Sequence, residues 1–190
     1  MDIDEVIQKR RTIRRFKQED VPKEKLMKLI EYARLAPAGN NVQSVEYIII
    51  KDEGYREKLF SLVNWAGSLP KEERVPEKSR RPMAYIIVLV NTTIKKEAPH
   101  DVGAAVENIL LGAVNLGLGA CWMGSIHRKK IRELFGIDDK YKISHVISLG
   151  YPDEKSSIEP YERSFKYWKD EDGNMHVPKR SVDDIIVKSF

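Results

Sequence analysis

The sequence predicts a single domain in which helices and strands mix around a central sheet. Residues 47–51 and 84–90 are short apolar runs rich in β-branched side chains, as is typical of strands that are covered on both faces. Between residues 101 and 116, apolar or small side chains occupy nearly every face of a predicted helix, which should therefore be buried all round. The 190 residues suffice for one core without stabilising cross-links.

Two helices are predicted before the first strand. Asp2 and Glu5 form a capping-box pattern, and the apolar spacing after them extends the first helix to about Arg11. Pro22 stands near the start of a second, amphipathic helix, which should stop before Pro37 because proline cannot continue it. A polar loop follows.

The remaining elements are predicted from shorter patterns. Residues 55–66 predict a third helix, and the charged, proline-containing stretch 67–82 predicts a mobile loop or lid. Residues 120–123 predict a short strand or extended turn between glycines, and Ser125 is expected to cap the next helix. Residues 142–151 alternate as another strand.

Composition narrows the function classes. A net charge of +4 spread along the chain suits local binding of a few phosphates better than binding of nucleic acid. Cys121 is the only cysteine, which excludes an intrachain disulfide and agrees with a reducing compartment, so redox chemistry would need a cofactor. The start lacks a secretion-signal pattern and no apolar run is long enough to span a membrane, so we expect a cytoplasmic protein without a membrane partner. No metal site is expected, because no HxH or HExxH spacing connects His100, His127, His145 and His176.

The first candidate site is the basic segment Arg-Arg-Thr-Ile-Arg-Arg at residues 10–15. If the first helix continues, Arg10, Arg11 and Arg14 can converge with the Thr12 hydroxyl on one small anion. Bidentate arginine contacts match the oxygens of a terminal phosphate in geometry and charge. A solvated basic face is the alternative interpretation.

The second candidate site is the polar loop at residues 36–43. In an extended segment Asn41 and Gln43 project to the same side, and each amide offers the donor and acceptor that the edge of a heteroaromatic ring needs. An ordinary turn, in which Asn and Gly supply unusual backbone angles, is the alternative.

The third candidate site is Gly-Leu-Gly-Ala-Cys-Trp-Met-Gly-Ser at residues 117–125. Its glycines would let the backbone approach a flat ligand and expose N–H donors. A dinucleotide-binding Rossmann site is not expected. Its glycines follow a strand and open a helix, whereas these follow a helix and lead into an extended segment.

In this order, the three segments resemble the FMN-dependent nitroreductase family, from about residue 5 to residue 152 and more faintly to the C-terminus. The resemblance implies that the first segment holds the FMN phosphate and ribityl chain. The family's second motif, roughly Pro-Ser-x-x-Asn-x-Gln-Pro-Trp, matches residues 37–43, but Ser-Val replaces its final Pro-Trp. The third motif matches residues 103–124 and implies that the backbone N–H of Met123 or Gly124 is hydrogen-bonded to flavin N5.

Near the C-terminus, Lys179 and Arg180 resemble the late basic pair that closes on the phosphate in this family, and we rank Arg180 above Lys179. No side chain is assigned a catalytic role. The expected cofactor-binding set is Arg10, Arg11, Thr12, Arg14, Pro37, Ala38, Gly39, Asn41, Gln43, Trp122, Met123, Gly124, Lys179 and Arg180.

The resemblance also implies the fold and the assembly. It implies an α+β fold with a mostly antiparallel central sheet flanked by helices, in an intertwined homodimer with FMN at the subunit interface. Residues 36–43 would then serve the partner's flavin. Residues 1–190 would form a single FMN-binding domain, with residues 153–190 as a C-terminal extension that wraps the partner subunit and in which Ser181 caps a short helix.

The implied activity is ping-pong hydride transfer from NAD(P)H through flavin N5 to a small acceptor such as a nitroaromatic or a quinone. A cation near flavin N1 would raise its potential, and the lid region offers Arg74, Lys78, Arg80 and Arg81. Three alternatives stay open: a flavin-dependent dehalogenase or flavin-cleaving enzyme of the same fold, a basic nucleic-acid-binding protein, and a flavin carrier without turnover.

Overall fold

The computed structural model describes residues 1–190. Its main sheet consists of β1 (Val45–Ile50), β2 (Ala84–Asn91), β3 (Gly119–Met123) and β4 (Tyr141–Gly150). The strands lie in the order β1-β2-β4-β3, and every neighbouring pair runs antiparallel. Each strand falls on a segment that the sequence predicts as a strand, and the α+β class with an antiparallel central sheet is confirmed.

The chain has seven helices; those at residues 23–34 and 99–115 pack on one face of this sheet, and those at residues 53–60 and 128–135 pack on the other. The helices are α1 (Ile3–Lys9), α2 (Lys23–Arg34), α3 (Glu53–Phe60), α4 (Lys71–Arg74), α5 (Pro99–Asn115), α6 (Arg128–Phe135) and α7 (Val182–Ile185), and 3-10 turns cover Gly39–Asn41 and Lys78–Arg80. As predicted, α2 ends before Pro37, and Ser181 forms a capping box with Asp184 at the start of α7. None of the helices is long and apolar enough to cross a membrane.

The main sheet separates two apolar layers. On one face, 19 buried residues join the sheet to α2 and α5, and on the other face 14 buried residues join it to α3 and α6. The central strand β2 is buried at every position because helices cover both of its faces. Val106, Ile109 and Ala113 are completely buried, but the prediction that α5 is buried all round was wrong. Its buried residues form one face, against which α2 and the sheet pack, and the Glu107 side chain on the other face is 47% exposed.

A second, three-stranded sheet lies in the C-terminal part of the chain, where no strand was predicted. It consists of β5 (Ser156–Pro160), β6 (Trp168–Lys169) and β7 (Met175–Lys179) in the order β5-β7-β6. Strands β5 and β7 are parallel, whereas β6 and β7 are antiparallel. The strands are short and polar, and Met175 provides a completely buried apolar anchor, packed against Ala66 and Leu69. Hydrophobic alternation therefore could not reveal this sheet.

The first helix ends earlier than predicted. Helix α1 stops at Lys9, and Arg10 already has an extended backbone. The Arg11 guanidinium folds back and donates a hydrogen bond to the carbonyl of Gln8 at 2.5 Å. It thus satisfies a carbonyl at the helix end that has no partner within the helix.

Two other local predictions were wrong. Ser125 does not cap α6, which begins only at Arg128; instead, the Ser125 hydroxyl accepts a hydrogen bond from the Asn64 amide at 2.8 Å. Helix α3 ends at Phe60, earlier than predicted. Val63 then forms a β-bridge to Ile126, which lies in the segment after β3. The stretch at 67–82 contains α4 and the second 3-10 turn.

Candidate functional site

The basic segment at residues 10–15 runs as an extended chain beside the edge strand β3. Thr12 forms a parallel bridge to Ala120, and the Ile13 N–H donates to the Ala120 carbonyl at 2.9 Å. Side chains alternate along an extended chain, so Arg10, Thr12 and Arg14 project to one side. These residues come together as the sequence predicts, but through strand alternation and not through a continued helix.

Their side chains open into a cavity of about 130 Å³. Its lining residues are Arg10, Arg11, Thr12, Arg14, Tyr167, Val177 and Lys179. Four residues of the first motif therefore meet Lys179, which arrives from the C-terminal sheet. Arg180 lies outside this cavity, where its guanidinium donates to the Asp184 carbonyl.

The cavity collects more positive than negative charge. Arg10 has an ion pair with Glu107 at 3.5 Å, whereas the Arg14 guanidinium lies over the Tyr167 ring at 4.9 Å and has no carboxylate partner. Burial, and then the neighbouring Arg10, lower the pKa of Arg11. Crowded cations of this kind are stabilised by a bound anion. Guanidinium, ammonium and hydroxyl donors around a small cavity fit a phosphate group in charge and in hydrogen bonding.

The opposite side of the basic segment is held by carboxylates. Arg15 is buried and pairs with Glu77 at 3.0 Å and with Glu154 at 3.8 Å. Glu154, whose side chain is only 2% exposed, also accepts the backbone N–H of Arg14 at 2.5 Å. Arg15 and Glu154 therefore fix the segment from behind while Arg10 and Arg14 face the cavity.

Strand β3 connects the basic cavity to the glycine-bracketed turn. A Cβ atom at Gly119 would lie 2.8 Å from Ile13, so glycine is needed for the basic segment to pack this closely. With a rise of about 3.3 Å per residue, Met123 and Gly124 lie roughly 10–13 Å along the strand from Ala120. Met123 is buried, and the Gly124 N–H donates to no backbone carbonyl.

The remaining member of this turn, Trp122, is 39% exposed and contacts the His145 ring edge-on, with centroids 5.1 Å apart. Asn64, which the sequence analysis missed, lies on the loop after α3 and contacts this turn at Ser125. Its amide donates to the Ser125 hydroxyl, and its backbone N–H donates to the Ser125 carbonyl at 2.9 Å. No sequence pattern marks Asn64, because its contact with Ser125 joins two loops that are distant in sequence.

The loop at residues 36–43 is a tight turn, so the prediction of an extended segment was wrong at Asn41. Asn40 and Asn41 both have left-handed backbone angles, with φ of 54° and 55°, a conformation that Asn tolerates well. The Asn41 and Gln43 side chains are exposed and still meet, with the Gln43 nitrogen 3.5 Å from the Asn41 oxygen. Gly39 donates to Asp101 at 3.1 Å, which anchors the turn to α5.

Within one chain this loop does not reach the basic cavity. Pro37, Ala38 and Gln43 instead line a separate cavity of about 440 Å³ between α2, α5 and β1. Lys95 pairs with Asp101 at 2.7 Å, and Lys95 and the Gly39 N–H keep the pKa of Asp101 below its usual value. The amide pair is thus presented on an anchored surface loop.

The four cations proposed near flavin N1 are mostly engaged elsewhere. Arg74 donates to the Leu69 carbonyl at 2.7 Å, Arg80 pairs with Asp153 at 2.6 Å, and Arg81 pairs with Glu57. Lys78 is exposed and has no ion pair.

The fold and this site are those of an α+β protein with a small basic cavity, suited to a phosphate group, beside the edge strand of its sheet. The model of the Nitroreductase family matches residues 7–151. The chain therefore belongs to the nitroreductase family, as the ordered motifs predicted.

Individual relatives agree with this assignment. A candidate NADH dehydrogenase/NAD(P)H nitroreductase of Archaeoglobus fulgidus is 33% identical over 83% of this chain and 90% of its own length. The crystal structure of an FMN-dependent nitroreductase from Clostridium difficile is similar with a TM-score of 0.65 and 29% identity, covering 83% of this chain and 91% of that one. An iodotyrosine deiodinase of Thermotoga neapolitana is 27% identical over 79% of this chain and 88% of its length.

Proposed function

We propose that this protein is an FMN-dependent oxidoreductase that transfers hydride from NAD(P)H, through flavin N5, to a small acceptor. The observation that carries the proposal is the cavity in which Arg10, Arg11, Arg14 and Lys179 meet beside β3. That strand leads to a turn whose Gly124 N–H has no backbone partner. The proposal places the phosphate at one end of this strand and the flavin ring at the other, with the ribityl chain between them.

In this proposal the chain's residues bind and orient the cofactor. Arg10, Arg14 and Lys179 neutralise the phosphate, and the Thr12 hydroxyl donates to it or to the ribityl chain. The Gly124 N–H would donate to N5, where a backbone donor would hold the ring without supplying a proton-transfer group. Bound FMN would supply the two-electron chemistry. Cys121 is not proposed to take part in this electron transfer, because burial raises the pKa of its thiol to about 11 and keeps it protonated at neutral pH.

We further propose that the active form is a homodimer in which the amide pair of one chain reaches the flavin of the other. The separation of the 36–43 loop from the basic cavity within one chain supports this arrangement. Met175 anchors the C-terminal sheet on its own chain, and the segment proposed to wrap the partner is residues 153–190, in which Ile158, Phe165 and Trp168 are exposed. That segment exposes Val182, Ile185, Val187 and Phe190, which favours burial against a second chain.

Two alternatives from other classes are less well supported. A nucleic-acid-binding face would present its arginines on an open surface, whereas here they line a cavity of about 130 Å³ that admits one phosphate group. A flavin carrier would be yellow but would not be reduced by NADH or NADPH. Anaerobic mixing of the purified, flavin-loaded protein with each nucleotide, followed by absorbance, distinguishes carrier from enzyme. A colourless protein that takes up no FMN would overturn the proposal.

Reductive dehalogenation is the second candidate activity, because the deiodinase of Thermotoga neapolitana is among the relatives. The two activities share the flavin site and differ in the acceptor. Steady-state NAD(P)H oxidation with a quinone, a nitroaromatic and an iodinated phenol, together with iodide release, separates them. Turnover with the first two acceptors and no iodide release is the expected result.

A further inference from the structure

The two faces of the C-terminal sheet carry different residues. Side chains alternate along β7, so Met175, Val177 and Lys179 project to one side, with Met175 buried and Lys179 exposed, while His176 and the buried Pro178 project to the other. Met175 packs against Ala66 and Leu69, in the loop after α3, and Val177 and Lys179 line the basic cavity. Residues that contact the proposed phosphate therefore depend on the position of this strand.

On the opposite face from Lys179, His176 lies between two carboxylates. Its Nδ1 is 2.7 Å from Glu159 on β5, and its Nε2 is 3.1 Å from Asp170 after β6. The ring also stacks on Trp168 of β6, with centroids 5.3 Å apart and an angle of 11°. One imidazole thus joins all three strands of the sheet.

Both carboxylates are held in place by other donors. The Ser157 hydroxyl donates to Glu159 at 2.8 Å, and the Asn174 backbone and side chain donate to Asp170 at 2.8 Å and 3.0 Å. These contacts, with His176 itself, lower the pKa of Asp170 to about 2 and lower that of Glu159. Both groups are therefore anionic near neutral pH.

A neutral imidazole has one N–H donor and one acceptor nitrogen, whereas the imidazolium ion has two donors. Because both ring nitrogens face carboxylate oxygens, only the imidazolium satisfies both contacts. The charged groups that face the ring are Glu159 from β5 and Asp170 from the β6–β7 turn, and the neutral groups are Ser157 and Trp168. Hydrogen bonds to Asp170 and then to Glu159 raise the pKa of His176.

We infer that protonated His176 is a positioning residue that locks the C-terminal sheet and thereby holds Lys179 at the phosphate end of the cofactor site. Tyr167, which precedes β6 and lies under Arg14, is held by the same sheet. The identity of the ligand rests on the proposed function, whereas the lock itself does not.

The direction of the pH effect follows from the raised pKa. A histidine whose pKa is higher in the folded sheet than in the free chain stabilises the sheet fully below about pH 6.5. This stabilisation is lost as the pH rises through the folded-state pKa. Loosening of the sheet, and weaker positioning of Lys179, are therefore expected on the alkaline side.

The binding test compares the wild type with His176→Gln, using His100→Gln as a matched control at an exposed histidine outside the sheet. FMN affinity is measured by flavin fluorescence from pH 6 to pH 9, with riboflavin as the probe that lacks the phosphate. At pH 6 we expect His176→Gln to bind FMN about three- to tenfold more weakly than the wild type, with the two converging at high pH. Riboflavin binding should not differ between them, and equal FMN affinities at pH 6 would overturn the inference.

A second variant and a cofactor-independent measurement separate the lock from the proposed function. Lys179→Ala should weaken FMN binding, and adding His176→Gln to it should cause little further loss, because the positioned group is already gone. Amide hydrogen exchange at Val177 and Lys179 in the cofactor-free protein should be faster in His176→Gln than in the wild type at pH 6. Unchanged exchange refutes the lock even if no flavin binds, whereas changed exchange without any FMN binding refutes only the proposed function.

Discussion

The two sheets of this molecule are stabilised in different ways. The main sheet is held by apolar layers of 19 and 14 buried residues on its two faces. The strands of the C-terminal sheet bury only Met175 and Pro178, and polar contacts such as those of His176 with Glu159 and Asp170 join them. Apolar burial stabilises the main sheet, whereas the polar contacts of the smaller sheet are expected to respond to pH and salt.

The largest loss of stability is expected from a substitution in the apolar layer that covers the main sheet. Ile109→Ala in α5 removes a completely buried side chain and should lower the free energy of unfolding by about 2–5 kcal/mol. The control is Ile158→Ala on β5, where the side chain is 50% exposed and the loss should be within about 0.5 kcal/mol. Denaturant unfolding measures both, and similar losses would contradict the comparison of the two sheets.

The next effect concerns the site at which the two sheets meet. Arg14→Ala should weaken FMN binding by about 1.5–3 kcal/mol, because one charge-assisted contact to the phosphate is lost, and Arg10→Ala should act similarly. Lys17→Ala, which removes an exposed cation, serves as the charge control and should leave the affinity unchanged. Fluorescence titration gives the affinities. If Arg14→Ala and Lys17→Ala bind FMN equally well, the phosphate assignment fails.

A smaller effect is expected at the amide pair, which lies on neither sheet. Asn41→Gly removes the side-chain amide while keeping a residue that tolerates the φ of 55°, and it should weaken FMN binding by about 0.5–1.5 kcal/mol. Asn41→Ala removes the same amide but adds backbone strain. A wild-type affinity and flavin potential in Asn41→Gly would remove the proposed contact with the partner's flavin, whatever Asn41→Ala shows.

The main sheet and its helices could be predicted because their burial leaves a periodic trace in the sequence. Strand β2 is covered on both faces, so its apolar residues are nearly continuous, whereas the buried residues of α5 recur along one face of the helix. The end of α1 could not be predicted, since it depends on Arg11 returning to the Gln8 carbonyl. The C-terminal sheet could not be predicted either, because contacts between polar side chains distant in sequence hold it.

The candidate site shows the same division. The motif residues Arg10, Thr12 and Arg14 were found from their spacing, although an extended chain and not a helix brings them together. The ranking of Arg180 over Lys179 had no periodic signal to support it, and the register of β7 places Lys179 in the cavity. Asn64 was missed because only the folded chain brings it to Ser125.

The central claim is that the basic cavity binds the phosphate of FMN. The most direct test is the affinity of the wild-type protein for FMN relative to riboflavin, measured at one pH and ionic strength. With two arginine contacts of about 1.5–3 kcal/mol each, FMN should bind more than about 100-fold more tightly. Equal affinities for the two flavins would contradict the claim.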